Sequence, residues 1–146
     1  MTSAASPSTS HDVVTDFLDR LGVADADGIA TLFADQIDWW VGGDPRLPWV
    51  GPRTRRDQVA PYFHDLWAAL IPDQSQVELG CVISNGDEHV ILGHFSHVAR
   101  ATKRRFDTDV ALHLTVLNGQ ITRLHLYEDT LAVSHAWDHP LPPSSH

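Results

Sequence analysis

Residues 105–130, RFDTDVALHLTVLNGQITRLHLYEDT, form two alternating runs joined by Asn118-Gly119. Val110, Leu112 and Leu114 recur at every second position, as do Leu124 and Leu126, which is the period of a strand with one buried face. Asn-Gly between two such runs is a strong hairpin signal. Two loop lengths fit it. A two-residue loop pairs Leu117 with Gln120; a three-residue loop, with glycine in the left-handed position, pairs Val116 with Gln120. Register follows the pattern of burial, so the three-residue loop is expected. It gathers Val110, Leu112, Leu114, Leu124 and Leu126 on one face and leaves Asp109, His113, Arg123, His125 and Tyr127 on the other.

Working outward, QVELGCVIS (76–84) and EHVILGHFSHVAR (88–100) read as two further strands with short links, so four strands make an antiparallel meander. Upstream, QIDWWVGG (36–43) reads as a short strand closed by glycines. Neighbours in a strand face opposite ways, which gives Trp39 and Trp40 different roles. Before it, Val13, Val14, Phe17, Leu18 and Leu21 share a helical face after Ser10 as N-cap, with Gly22 near the helix end. A second helix is expected over DADGIATLFAD (25–35), striped by Ile29, Leu32 and Phe33. The proline-rich GDPRLPWVGP (43–52) reads as a long loop. Thr54 and Asp57 form a capping-box-like pair ahead of a third helix carrying Val59, Phe63, Leu66 and Leu70. Asp129 caps a closing helix, TLAVSHAW (130–137).

Three N-terminal helices packed on a strongly curved, mainly antiparallel sheet make an α+β fold. Residues 1–10 are expected as a disordered tail, 11–137 as a single domain and 138–146 as a loose C-terminal tail. The formal charge of −9 disfavours nucleic acid and anionic membrane as partners. The first ten residues hold no apolar stretch, and no apolar run reaches the length of a membrane span, so a cytoplasmic protein is expected. Cys81 is the single cysteine and sits in an apolar run, where a small buried hydrophobe is expected.

The ten histidines invite a metal site, but their spacing matches no known ligand set, so no metal or other cofactor is expected. His94 and His97 are three apart in one strand and face opposite ways. His135 and His139 are four apart, but Pro140 follows. Glu128 stands at the end of the last strand among apolar neighbours. It is either an acid or base of raised pKa or a rim residue in water.

The segments GIATLFADQIDWW, LPWVGPRTRRDQVAPYFHDL and RATKRRFDTDVALHLTVLNGQITRLHLYEDT, in this order and spacing, resemble the SnoaL-like branch of the nuclear-transport-factor/ketosteroid-isomerase superfamily. The resemblance runs from about His11 to Trp137. It implies a cone-shaped α+β barrel with one deep pocket and a homodimer formed through the outer sheet face. Carried over residue by residue, the isomerase tyrosine falls at Phe17, its aspartate base at Val41, and its second acid at Val110, Ala111 or Leu112. None of these transfers a proton. The epoxide-hydrolase positions of the same superfamily fall at Trp39, Val41, Gly93, Phe95 and Leu126, so that catalytic set is also missing.

The resemblance turns Trp39 and Val41 into the pocket and Trp40 out of it. Phe17, Trp39, Val41, Phe63, Val110, Leu112 and Leu126 are then the expected ligand-lining residues. It also selects His97 over His94 as the inward histidine, making Glu128 and His97 the candidate catalytic acid and base. The expected function is an isomerase, cyclase or hydrolase acting on a small hydrophobic or aromatic molecule. A non-catalytic binding module with the same pocket is the alternative, and an interaction module using the outer sheet face is a third.

Overall fold

Asn118 and Gly119 both adopt positive φ, 53° and 75°, as a type I′ two-residue turn requires. Leu117 therefore pairs with Gln120, which corrects the expected three-residue loop. The faces nevertheless stay as expected, because β6 (Gln120–Glu128) carries a bulge. Thr115 of β5 (Arg105–Leu117) pairs with Arg123 while Val116 pairs with Ile121, leaving Thr122 as the extra residue. A shift of one residue exchanges the faces of a strand, and the bulge exchanges them back. Leu112 comes to oppose Leu126, and Leu114 to oppose Leu124.

The structure is a computed structural model that describes residues 10–138. Apart from Ser10 and Asp138, the tails expected at 1–10 and 138–146 lie outside the described residues, as does His139. The chain runs α1 (Ser10–Gly22), α2 (Ala26–Ala30), β1 (Phe33–Val41), β2 (Gly51–Arg55) and α3 (Val59–Ala68). It continues through β3 (Gln76–Asn85), β4 (Glu88–Val98), β5 and β6 to α4 (Thr130–Trp137). The six strands are ordered β2-β1-β6-β5-β4-β3, and only β1 and β6 are parallel. Bulges also interrupt β1 and, at Gly80, β3. Such bulges bend strands and sharpen their twist. The aliphatic face turns toward α1 and α3, which contribute Val13, Val14, Phe17, Val59, Tyr62 and Phe63 to the core.

Further local expectations are corrected. α2 ends at Ala30, not beyond Phe33, because the Leu32 carbonyl already accepts the Ile121 N–H at 2.8 Å and Phe33 opposes Ile121 in the sheet. Sheet pairing here overrides a helical stripe of apolar residues. The long loop after β1 hides β2, which pairs antiparallel with β1. Pro52 is tolerated there because β2 is an edge strand. Cys81 is exposed, not buried, since it lies on the outer side of the edge strand β3.

The turn before α3 is closed by Gln58, whose Oε1 accepts the Thr54 and Arg55 N–H groups at 2.8 and 3.0 Å, in place of the Thr54–Asp57 pair. Asp129 does cap α4, its Oδ1 accepting the Ala132 N–H at 3.0 Å.

Gly93 marks the point where the bent edge approaches most closely. A Cβ built there would lie 2.0 Å from the Glu78 carbonyl oxygen of β3, whereas one on Gly80 would meet nothing within 4 Å. Gly93→Ala should therefore cost about 1–3 kcal/mol, read as a lower denaturant midpoint, with Gly80→Ala far milder. Equal effects of the two would contradict this account of the bend.

Candidate functional site

On β4 the alternation places His94 on the outer face and His97 on the inner one. His94 lies between two carboxylates, with Nδ1 2.9 Å from Asp109 and Nε2 3.4 Å from Asp107, and these hold its pKa above the ordinary value. His97 is buried, with ring contacts to Phe95 and Phe106 at 5.5 and 5.6 Å. Its Nδ1 lies 2.8 Å from the Ser75 Oγ. Ser75 follows the 3-10 turn Pro72–Gln74, which Arg105 pins by donating to the Gln74 carbonyl and side-chain oxygens, both at 3.2 Å. Burial, and then the Arg105 charge, push the His97 pKa down to about 4, so its ring is neutral at pH 7.

His97 and Ser75 are the polar part of a cavity of about 500 Å³. Its other walls are Leu18 and Leu21 of α1, Trp67 of α3, Leu70 beyond that helix, and Val77 and Leu79 of β3. Nε2 of His97 has no hydrogen-bond partner among the described residues and is not sealed from solvent. The cavity thus offers an apolar body site and one imidazole nitrogen. Size and lining suit a small, largely apolar molecule.

The residues expected to line a ligand space have a different setting. Phe17, Trp39, Val41, Phe63 and Leu112 belong to the buried core and Leu126 packs against it, while Val110 is buried outside that cluster. Trp39 is 1% exposed and sits against Phe33, Tyr62 and Phe63 with ring centroids 5.7, 4.8 and 6.2 Å away. This aromatic cluster fills the centre of the cone, and the cavity opens to one side of it, under α1. Trp40 faces outward and is 45% exposed.

Glu128 occupies the inner face directly opposite Val110. Its carboxyl has no hydrogen-bond or ion-pair partner among the described residues. Burial, and then the neighbouring Asp129 charge, raise its pKa to about 7. Burial and Glu128 together also raise the Tyr62 hydroxyl pKa. The Arg53 guanidinium stacks 5.1 Å over the Tyr62 ring and donates to the Trp49 and Pro48 carbonyls at 3.2 and 3.4 Å. Nε1 of Trp39 is buried without a hydrogen-bond partner among the described residues.

Glu128 and His97 are not an acid–base pair on one reacting bond. His97 pairs with Phe106 and Glu128 with Val110. That places their backbones four residues along and two strands across, roughly 15 Å apart.

Sequence reasoning missed Ser75, Trp67, Val77, Leu79, Arg53 and Tyr62 as site neighbours. Leu18 and Leu21 were visible only as a helix stripe, and Ser75 carried no motif. Among the described residues, no group of three or more His, Cys, Asp or Glu side chains is arranged to hold a metal, and no helix is long and apolar enough to cross a membrane.

A family model described as a SnoaL-like domain matches residues 14–124. No curated protein matches the chain. Among solved structures, an NTF2-like protein from Burkholderia thailandensis is similar with a TM-score of 0.80 at 22% identity, covering 91% of this chain and 100% of that one. TerC, co-crystallized with polyporic acid, is similar with a TM-score of 0.76 at 16% identity, covering 88% of this chain and 98% of its own. A protein of ketosteroid isomerase-like fold from Catenulispora acidiphila, in complex with trimethylamine, gives a TM-score of 0.69 at 17% identity, over 84% and 88% of the two chains. At these identities the likeness is one of fold.

The two titrating groups act on stability in opposite directions. Folded Glu128 keeps its proton up to about pH 7, whereas an unfolded carboxyl keeps it only to about 4.5. Its contribution is therefore full below the lower value and lost as pH rises to the higher one. Folded His97 stays neutral down to about pH 4, whereas an unfolded histidine takes a proton near 6.5, so its contribution is lost as pH falls across that window. Relative to wild type, Glu128→Gln should gain in melting temperature between about pH 5 and pH 8. Calorimetry across that range checks it; a pH-independent difference would sink the assignment.

Proposed function

The chain belongs to the SnoaL-like domain family, and from that premise we propose that it binds a small, largely apolar molecule in the cavity beneath α1, with His97 as the polar contact. The carrying observation is the unpartnered Nε2 of a neutral imidazole in an otherwise apolar cavity. Co-crystallization of TerC with polyporic acid supports a small-molecule role for the fold. A nitrogen with a pKa near 4 suits recognition better than proton abstraction at pH 7. The reading is therefore of a binding module.

One observation favours an enzyme instead. Glu128, with a pKa near 7 and no partner, is matched to proton exchange at neutral pH, and Tyr62 is at hand as a hydrogen-bond donor. In that reading the reaction is an isomerisation or cyclisation of a hydrophobic substrate through proton transfer at Glu128.

2-Tetralone, a bicyclic apolar ketone with exchangeable α-hydrogens, separates the two. For the binding module, calorimetry gives saturable binding, His97→Ala weakens it about tenfold, consistent with loss of one hydrogen bond, and Leu21→Trp abolishes it by filling the cavity. Deuterium enters the ketone from D₂O no faster than in buffer without protein. Deuterium uptake that Glu128→Gln removes would establish the enzyme reading. Binding unchanged in both cavity variants would overturn the proposed site.

A further inference from the structure

The outer face of the sheet carries two histidines that the alternation puts on one face and the bulge at Thr122 sets directly opposite each other. His113 on β5 and His125 on β6 are register partners, with ring centroids 6.2 Å apart and planes at 81°. Each ring turns the same nitrogen to a carboxylate. Nε2 of His113 is 2.6 Å from Glu88, and Nε2 of His125 is 2.8 Å from Asp38. A carboxylate only accepts, so the ring proton is drawn to Nε2 and each Nδ1 keeps its lone pair. Neither Nδ1 has a partner among the described residues.

The carboxylates are themselves held in place. Glu88 Oε1 also accepts from the Thr115 hydroxyl at 2.6 Å, and Asp38 Oδ2 accepts from Arg123 Nε at 2.9 Å. Both carboxyls are held below their ordinary pKa, Glu88 by Thr115 and His113, Asp38 by His125 and Arg123. Two ionised carboxylates against one guanidinium leave the immediate surroundings anionic. A carboxylate on the far nitrogen of an imidazole is the outer shell that orients metal-bound histidines and raises their basicity.

We propose that the Nδ1 atoms of His113 and His125 bind a divalent transition-metal ion of the zinc class, with water completing its coordination. Two imidazoles sharing an ion at about 2.0–2.1 Å per bond bring their ring centres to about 5–6 Å, close to the 6.2 Å that separates these rings. Imidazole nitrogens select zinc, nickel or copper over magnesium and calcium. His94 is the internal contrast: both of its nitrogens lie against carboxylates, so neither is left without a partner.

Zn²⁺ alone is the probe, titrated into the full chain by calorimetry and followed by histidine-ring NMR. One ion per chain should bind, with the His113 and His125 ring signals shifting together. His113→Asn or His125→Asn should weaken binding at least tenfold. Asp38→Asn should weaken it by about tenfold, and His94→Asn should leave it unchanged. Thermal unfolding in chelator verifies that each variant is folded, and a Zn²⁺-dependent rise in melting temperature should appear in wild type but not in the His113/His125 double variant. Absence of binding at millimolar Zn²⁺, or binding that survives in that double variant, overturns the site.

Discussion

Burial of Val110, Leu112, Leu114 and Leu124 on one face of β5 and β6 is the constraint from which the remaining architecture follows. A type I′ turn alone would send half of these side chains to solvent, so the hairpin holds only with the bulge at Thr122. Once that face is set, β1 can pair in parallel with β6, bringing Trp39 beside Leu124 and Val41 beside Leu126. α1 and α3 then have an apolar concavity to cover. Trp39 fills its centre, and the space left over lies to the side, between α1, α3 and the bent edge formed by β3 and β4. The cavity is thus a consequence of where the sheet bends and of which large side chain occupies the middle.

The same packing sets the proton affinities. His97 and Glu128 share the inner face, but both meet a medium that penalises charge, so the imidazole is driven neutral and the carboxyl is driven protonated. Arg105 strengthens the first effect and Asp129 the second. Among the described residues, neither group has an opposite charge to offset its burial. On the outer face the chemistry reverses. There His94, Glu88 and Asp38 all have hydrogen-bonded or ionic partners that favour their charged forms. One sheet therefore separates a neutral, apolar interior from a charged exterior in which histidines and carboxylates are matched across strands.

Local interactions tie the loops to this frame. Asp44 accepts from Ser134 of α4 at 2.8 Å and from Arg46, which also reaches Asp138 at 3.0 Å. Thr102 donates to the Ala136 carbonyl, and Arg104 donates to the His135 carbonyl at 2.9 Å. These contacts fasten α4 across the ends of β5 and β6, next to Glu128. Edge-to-face contact of Trp49 with Trp137 at 4.9 Å adds an apolar seal at the same end. The exposed Arg–Asp pairs contribute little stability individually, and their role is positional.

Alternation and turn chemistry made the four-strand meander and the Asp129 cap legible in the amino-acid order, because each depends on neighbours a few residues away, while the outward Trp40 came from the family resemblance. The strand β2 and the early end of α2 were not legible, since edge pairing to β1 and the Leu32–Ile121 hydrogen bond come from distant segments. The site divides in the same way. Parity in the hairpin put Glu128 on the inner face, whereas alternation left His94 and His97 open and only the family resemblance selected His97. That Ser75 would reach His97, that Leu18 and Leu21 would wall a cavity, and that the bulge would set His113 directly opposite His125 were decided only in three dimensions. The sequence determines which side chains must be hidden from water; the tertiary structure alone decides which of them touch and where space remains between them.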